Sequence, residues 1–257
     1  MTKVKDIIKI IEEYAPRNLA ESWDNPGLAV GDEQAEAERI LVALDCDMAV
    51  LEEAIEKKCN MIVTHHPLLF HPIHFVTTET EIGRIVLKAA KHDVAIYSAH
   101  TNLDCAKGGV NDTLCRLLGF ENVQIMEEVA EGNLIRTGRV APQPFSKYAK
   151  YLCGKFGKPY IRCVGDPEKI IRTVGICSGG GGEFIPNMAD KCDLYITGDV
   201  KYHMARTAAE TGLCLAVVEH FESESCVMDI FRNMLEKSGV EIIKSQANRD
   251  VMFDILR

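Results

Sequence analysis

The feature that most constrains this chain is a short apolar run that ends in two histidines. Residues 61–66 read Met-Ile-Val-Thr-His-His, and Pro67 follows. A short apolar run with β-branched members predicts a buried strand, and proline prevents its continuation. Successive strand residues point to opposite faces, so His65 and His66 can act together only where the backbone turns. Because strand ends of α/β sheets are common ligand sites, the doublet is a candidate for metal binding that needs partners from elsewhere.

Strand and helix signals alternate on both sides of this run. The predicted strands with helices between them are Ile40–Leu44, Met61–Thr64 and Val94–Ser98, then Thr173–Cys177, Leu194–Thr197 and Leu213–Val218. Such alternation predicts parallel sheets with right-handed crossovers. Because the two series show the same order of parts, we expect an α/β fold of two similar lobes, with mixed or parallel sheets packed by helices.

A stretch with a different composition separates the two series. Residues 127–147 are rich in Glu and contain Gly132, Gly138, Pro142 and Pro144. Glycine and proline typically mark turns and loops, so we interpret this stretch as the seam between the lobes. The expected boundaries are then 1–126 for the N-terminal lobe, with 240–257 as a candidate addition, and 127–239 for the second lobe.

Two further strand ends carry imidazole and carboxylate groups. His100 and Asp104 follow one predicted strand, and His220 and Glu224 follow another with the same spacing. Mixed His, Asp and Glu sets suit zinc, manganese or ferrous iron, and a carboxylate can bridge two ions. A single histidine at a strand end is more often a hydrogen-bonded surface residue than a metal ligand. Three similar strand ends favour metal binding, and we expect the site between the two lobes.

A glycine-rich segment follows the predicted strand Thr173–Cys177. Such turns can offer backbone N–H groups to phosphate, which makes Gly179, Gly180 and Gly181 candidate phosphate or substrate contacts. The segment has neither the Gly-Lys-Ser/Thr of a Walker loop nor the dinucleotide-binding glycine pattern. A tight turn in which the backbone passes close to a neighbour is the equal alternative.

Composition limits the partners of the chain. The net charge of −9 argues against binding to the nucleic-acid backbone, which requires a basic surface. No apolar stretch is long enough for a transmembrane helix, and the N-terminus becomes charged too early for a secretion signal. Ten cysteines in a chain without such a signal are expected to stay reduced. We therefore expect a cytoplasmic protein without membrane contacts or direct nucleic-acid binding.

Five ordered segments carry a resemblance to a known family. They are Glu21-Ser22-Trp23-Asp24-Asn25-Pro26-Gly27-Leu28, Thr64-His65-His66-Pro67, His100-Thr101-Asn102-Leu103-Asp104, Ile196-Thr197-Gly198-Asp199 and His220-Phe221-Glu222-Ser223-Glu224. Together they resemble the GTP cyclohydrolase I type 2 homologues, the NIF3-like proteins, over nearly the whole chain. The resemblance implies a two-lobed α/β chain, a toroidal homohexamer and a dinuclear metal centre that holds two divalent ions, zinc, iron or manganese.

The resemblance also implies the roles of individual residues. His65 and His66 would each bind one ion, and Asp104 would bind one of the two. His220 would bind the other ion, and Glu224 would bridge the pair. One departure is Glu219, which stands where the family usually has glycine and makes the turn less permissive. Trp23, the lone tryptophan, is by general experience a structural anchor more often than a site residue.

The activity implied by the resemblance is that of a metal-dependent hydrolase. Two neighbouring ions would activate water for attack on an electrophilic carbon or phosphorus atom. In a purine nucleotide such as GTP, the target would be the carbon of the imidazole ring. His100, which is close to Asp104 but not assigned as a ligand, is the candidate general acid or base. The alternative is a metal-binding assembly or adaptor protein without turnover, because the sequence offers no obvious base-recognition pocket.

Overall fold

The computed structural model describes residues 1–127, 133–253 and 255. The chain divides into two compact units, one made of Met1–Ala106 and Val227–Arg257 and the other of Lys107–Cys226. Each unit contains one sheet packed by helices, which makes the fold mixed α/β. Residues 128–132 of the predicted seam lie outside the described residues, as do 254, 256 and 257 of the predicted C-terminal addition.

The unit boundaries differ from those expected from the sequence. Residues 107–126 belong to the second unit rather than the first, and residues 227–239 belong to the first rather than the second. The reason is strand and helix packing, since a strand at Glu121–Ile125 pairs within the second sheet. The helix Val227–Leu235 packs on the helix Val4–Tyr14 and on strands of the first sheet.

The helices and strands of the described residues are joined mostly by short connections, with a longer one at residues 65–80. In chain order they are α1 (Val4–Tyr14), β1 (Gly27–Val30), β2 (Arg39–Ala43), α2 (Met48–Glu56), β3 (Met61–Thr64), α3 (Glu81–Lys91), β4 (Ala95–Ser98), α4 (Thr101–Cys105), α5 (Val110–Leu117), β5 (Glu121–Ile125), β6 (Arg136–Pro144), α6 (Phe145–Phe156), β7 (Arg162–Val164), β8 (Ile170–Ile176), α7 (Ile185–Met188), β9 (Leu194–Thr197), α8 (Tyr202–Thr211), β10 (Cys214–Val217), α9 (His220–Glu224), α10 (Val227–Leu235) and β11 (Glu241–Lys244). Short 3-10 helices lie at Arg17–Leu19, Gly181–Phe184 and Glu236–Ser238.

The first unit is built on a five-stranded sheet in the order β1-β4-β3-β2-β11. Strands β4, β3, β2 and β11 are parallel, and β1 is antiparallel to β4. The sequence predicted β2, β3 and β4, whereas the short, partly exposed edge strand β1 gives little hydrophobic signal. All four residues of β3 are buried, as expected for a central parallel strand covered on both faces.

Helices cover this sheet with apolar residues at helical spacing. Helix α1 buries Val4, Ile7, Ile8 and Ile11 and packs on α10, as its sequence pattern predicts. Helices α2 and α3 contribute Leu51 and Ile85, among others, to a core formed with β2, β3 and β4. Asp47 and Thr80 cap these two helices through hydrogen bonds from backbone N–H groups at the first turn.

The second unit has a six-stranded mixed sheet in the order β5-β6-β8-β9-β10-β7. Its central strands β8, β9 and β10 are parallel, and the outer pairs are antiparallel. Strand β6 lies within the stretch that the sequence analysis interprets as the seam. Gly138 allows β6 to pass Phe120 closely, since an added Cβ would lie 2.9 Å from the Phe120 Cβ.

Among the described residues, no helix has both the length and the apolar character needed to cross a bilayer.

The Glu53 carboxylate is one of the groups that hold the C-terminal segment within the first unit. Glu53 on α2 accepts hydrogen bonds from the Ser245 hydroxyl at 2.5 Å and from the backbone N–H groups of Gln246 and Ala247 at 2.9 and 3.0 Å. Lys57 donates to the same carboxylate at 2.5 Å. Burial raises the pKa of Glu53, but the bonds from Lys57 and Ser245 outweigh it and bring the value down to about 2.

We predict that Glu53→Gln lowers the free energy of unfolding at neutral pH by about 1 kcal/mol, since the bonds are partly screened by solvent. Because the pKa of Glu53 lies below its ordinary value, its contribution is complete above pH 4.5 and is lost as the pH falls towards 2. Thermal unfolding followed by circular dichroism at several pH values measures both effects. Glu52→Gln is the control, because Glu52 is exposed and binds only Lys88 among the hydrogen bonds described here. An equal loss at pH 7 and pH 2 would contradict the prediction.

Candidate functional site

In the first unit, parallel pairing brings three strand ends to one edge of the sheet. Strands β2, β3 and β4 pair in register, and the pairing continues past them through His66 N–H to Leu44 O and Ala99 N–H to Thr64 O. The residues that follow these strands therefore meet. Ligand atoms of His65, His66 and His100 all lie within 4.8 Å of one another.

One ring nitrogen of each of these histidines is held by an oxygen atom. His65 Nδ1 lies 2.9 Å from the Ala99 carbonyl oxygen, which can only accept, so a neutral ring carries its proton on Nδ1. Its Nε2 lies 3.5 Å from Asp104 Oδ1. His66 Nδ1 lies 2.7 Å from Asp45 Oδ1, and His100 Nδ1 lies 2.7 Å from Asp24 Oδ1. Histidines that bind metals are typically oriented by this kind of bond at the other ring nitrogen.

Asp24 is the most firmly held of these oxygen partners. Its buried side chain accepts hydrogen bonds from the His100 ring, from the Thr101 backbone N–H at 3.0 Å and from the Thr101 hydroxyl. Burial raises the pKa of Asp24, but the hydrogen bonds and the charge of His100 outweigh it and hold the pKa below its ordinary value. Asp24 therefore stays ionised and orients His100.

In the second unit, the ends of β8, β9 and β10 meet in the same way. Asp199 follows β9 and His220 follows β10, and Asp199 Oδ2 accepts from His220 Nδ1 at 2.7 Å. His220 and Glu224 lie one turn apart on α9, with His220 Nε2 at 2.9 Å from Glu224 Oε2. Burial lowers the pKa of His220, but Glu224 and Asp199 outweigh it and raise the value to about 9. Without a metal ion, the ring therefore carries a proton at neutral pH.

The glycine-rich segment lies against this pair. Gly179 adopts φ +56°, and an added Cβ would collide with Glu224 Oε1 and lie 3.1 Å from His220 Nε2. Its N–H donates to the Ser223 hydroxyl at 2.9 Å. Gly181 is equally confined, since an added Cβ would lie 2.6 Å from Thr197 Oγ1. The close approach of neighbouring atoms thus explains why glycine occupies positions 179 and 181. The phosphate contact predicted for Gly179, Gly180 and Gly181 stays a prediction.

The residue before His220 has an unusual backbone. Glu219 has φ +66° and ψ 154°, a region that is essentially restricted to glycine. The sequence identified this position as the one departure from the family pattern, and the positive φ shows its physical consequence. Glu219 Oε1 lies 3.5 Å from Arg162 Nη2.

The sequence named the histidines but missed the acids that orient them. His65, His66, His100 and Asp104 gather in the first unit, and His220 and Glu224 pair in the second. Asp24, Asp45 and Asp199 were not predicted as site residues. A signal was available for two of them, because Asp45 and Asp199 directly follow the strand ends beside the histidines.

Three comparisons place the chain among known proteins. The sequence model of the Duf34/NIF3 family (NGG1p interacting factor 3) matches residues 2–251. A GTP cyclohydrolase 1 type 2 homolog from Clostridium acetobutylicum is 37% identical over 263 residues, covering 96% of this chain and 97% of the relative. A Staphylococcus aureus protein of known structure has a TM-score of 0.88 at 26% identity and covers 99% of both chains.

A second solved structure, reduced HcgD from Methanocaldococcus jannaschii, has a TM-score of 0.84 at 31% identity and covers 95% of this chain and 98% of its own. Both the sequence match and the folds extend over nearly the full length of this chain. They confirm the resemblance drawn from the five motifs. The chain belongs to the DUF34/NIF3 family.

Proposed function

We propose that the protein is a dinuclear metal-dependent hydrolase, with GTP or a related nucleotide as its substrate class. In this proposal the histidine cluster of the first unit and the His220–Glu224 pair of the second serve one centre. His65 and His66 would each hold one divalent ion, Asp104 and His220 would supply further ligands, and the Glu224 carboxylate would be shared between the ions. The observation that carries the proposal is the oxygen partner at Nδ1 of each of the three proposed ligand histidines, His65, His66 and His220.

The donor set fits zinc, iron or manganese. Imidazole nitrogens and carboxylate oxygens are the ligands these ions share. The carboxylates of Asp45, Asp24 and Asp199 would fix the rings and raise their basicity, as partners of metal-binding histidines do. At His220 a metal ion would replace the proton that lies between Nε2 and Glu224, so binding would release it. Gly179 leaves the space that Glu224 occupies.

The residues around the centre can divide the chemical work. Two bound ions would lower the pKa of water towards about 7 and stabilise developing negative charge on the substrate. His100 would take up or deliver a proton, and ionised Asp24 would stabilise the resulting imidazolium, as the acid of a catalytic triad does. A cavity of about 370 Å³ lined in part by Asp45, His66 and Leu68 offers room for a small molecule beside the first unit's cluster.

The homohexameric ring implied by the resemblance and the cytoplasmic location expected from the composition also stay proposals. Sedimentation analysis of the purified chain tests the ring directly. Related proteins carry the name GTP cyclohydrolase 1 type 2 homolog, which supports the substrate class only by analogy.

The first prediction for the site concerns metal content. Protein purified without chelator, then loaded with zinc, manganese or ferrous iron, should contain about two ions per chain. His65→Ala/His66→Ala should lose both, because each ion loses a ligand. His220→Ala should weaken binding of the ion that the first unit also ligates. Elemental analysis and chelator competition measure these effects, and His92→Ala, a histidine outside the cluster, is the control. If His65→Ala/His66→Ala lost only one ion and His220→Ala lost only the other, the two units would hold separate sites. That result would contradict a shared centre.

The second prediction uses the confined glycine. Gly179→Ala should weaken metal binding by roughly 10- to 100-fold, the range seen when a ligand's support is removed, because the methyl group displaces Glu224. Gly180→Ala controls for the substitution itself, since Gly180 has φ −84° and no atom within 4 Å of an added Cβ. Gly157→Ala controls for strain alone, since Gly157 has φ +66° and open space. Metal affinities equal in all three variants would show that Gly179 does not shape the site.

The third prediction separates proton transfer from metal binding. His100→Ala should lower kcat by about 10²- to 10⁴-fold, the usual contribution of general acid–base catalysis, with the metal content unchanged. Asp24→Asn should give a smaller loss because the ring remains but is less well oriented. Turnover of GTP and related nucleotides by metal-loaded protein is the measurement. A fall in metal content in His100→Ala would instead make His100 a ligand.

The alternative, a metal-binding assembly or adaptor protein, has its own outcome in these experiments. A protein that binds the ions as described but shows no turnover and no stabilisation by any nucleotide would support it. Metal-dependent stabilisation by GTP, absent with other nucleotides, would favour the hydrolase.

A further inference from the structure

The only tryptophan of the chain stands at the surface beside the histidine cluster. Trp23 is 56% exposed, and Phe70 next to it is 41% exposed. A tryptophan that anchors a loop is normally buried, and the exposed ring of Trp23 departs from that pattern. Large aromatic rings held in contact with water mark binding surfaces more often than packing.

The loop that carries Trp23 is firmly built. Asp24, the next residue, accepts hydrogen bonds from His100 and Thr101, and Asn25 Nδ2 donates to the Leu69 carbonyl oxygen at 2.8 Å. The second bond joins this loop to the segment that carries Phe70. Both aromatic side chains are thus presented from backbone that is fixed relative to His100, which lowers the cost of binding a ligand there.

The three rings form a compact group. Ring centroids lie 6.0 Å apart for Trp23 and Phe70, 6.1 Å for Trp23 and His100, and 6.1 Å for Phe70 and His100. The interplanar angles of 65° to 81° describe edge-to-face contacts. His100 in turn lies 5.2 Å from the His65 ring and 5.6 Å from the His66 ring. The exposed aromatic surface is therefore continuous with the candidate metal ligands.

We propose that Trp23 and Phe70 form a stacking platform for a flat nitrogen heterocycle, the ring of the substrate whose reacting part lies at the histidine cluster. The inference rests on the proposed function for the position of the reaction. Aromatic side chains hold such rings by stacking whatever their substituents. The platform supplies the ring recognition that the sequence did not reveal, and it makes Trp23 and Phe70 binding residues that select for a planar ring.

The single tryptophan makes the test direct. Zinc-loaded protein is titrated with GTP, ATP, CTP, a pterin and a nicotinamide nucleotide, each followed by Trp23 fluorescence with excitation at the red edge of its band. Inorganic triphosphate and ribose 5-phosphate are the ring-free probes. We expect quenching by at least one ring compound and none by the ring-free probes. Phe70→Leu should weaken binding of the quenching compound by about 10- to 100-fold, as for loss of a stacked base.

The matched control is Phe75→Leu. Phe75 belongs to the same connecting segment and is 80% exposed, but it contacts His74 rather than His100. Its replacement should leave the affinity unchanged. Calorimetry on Trp23→Leu gives the same comparison without fluorescence, and sedimentation of that variant reports the oligomeric state.

The outcomes separate this proposal from the hydrolase proposal. Quenching and a Phe70-dependent affinity without turnover of any compound would support the platform and count against the hydrolase. Turnover without quenching, together with equal ligand affinities for Phe70→Leu and Phe75→Leu, would support the hydrolase and overturn the platform. Absence of quenching by every ring compound, or a change of oligomeric state in Trp23→Leu, would also overturn it, the latter by showing that Trp23 lies in a subunit contact.

Discussion

Parallel register is the constraint on which the rest of this structure depends. In each unit three consecutive strands lie side by side and parallel, β2, β3 and β4 in one and β8, β9 and β10 in the other. Parallel neighbours end at the same edge of a sheet, so residues far apart in the sequence become neighbours there. The histidine cluster of the first unit and the Asp199–His220–Glu224 group of the second both arise in this way.

Hydrogen bonds to Nδ1 turn these gathered histidines into an ordered set. Burying polar rings and ionised acids such as Asp104 and Glu224 costs free energy of folding unless hydrogen bonds or opposite charges compensate. Asp45, Asp24, Asp199 and the Ala99 carbonyl oxygen offset part of this cost by fixing each ring. The same bonds hold Nε2 of His65 near Asp104 and Nε2 of His220 near Glu224. Ionised Asp24 also stabilises the loop that presents Trp23.

Backbone conformation sets how closely the second unit's elements approach one another. Gly179 uses a positive φ to lie against Glu224, where any side chain would collide. Glu219 adopts a positive φ without being glycine, and strain of this kind persists only where the surrounding structure holds it. Here the end of β10 and the start of α9 fix the backbone on both sides, so that His220 and Glu224 face Asp199 and Gly179.

Hydrophobic period in the sequence predicted the α/β class and most helices and strands, and five ordered motifs carried the resemblance to the family. Strand-end chemistry singled out the candidate site residues His65, His66, His100, Asp104, His220 and Glu224. These signals are local, and local patterns survive without knowledge of neighbours. Only the tertiary structure decided the unit boundaries, the strands β1 and β5, the place of β6 inside a sheet, and the acids that orient the rings. It also decided that Trp23 is exposed. Each of these depends on contacts between distant segments, and no short stretch of sequence carries that information.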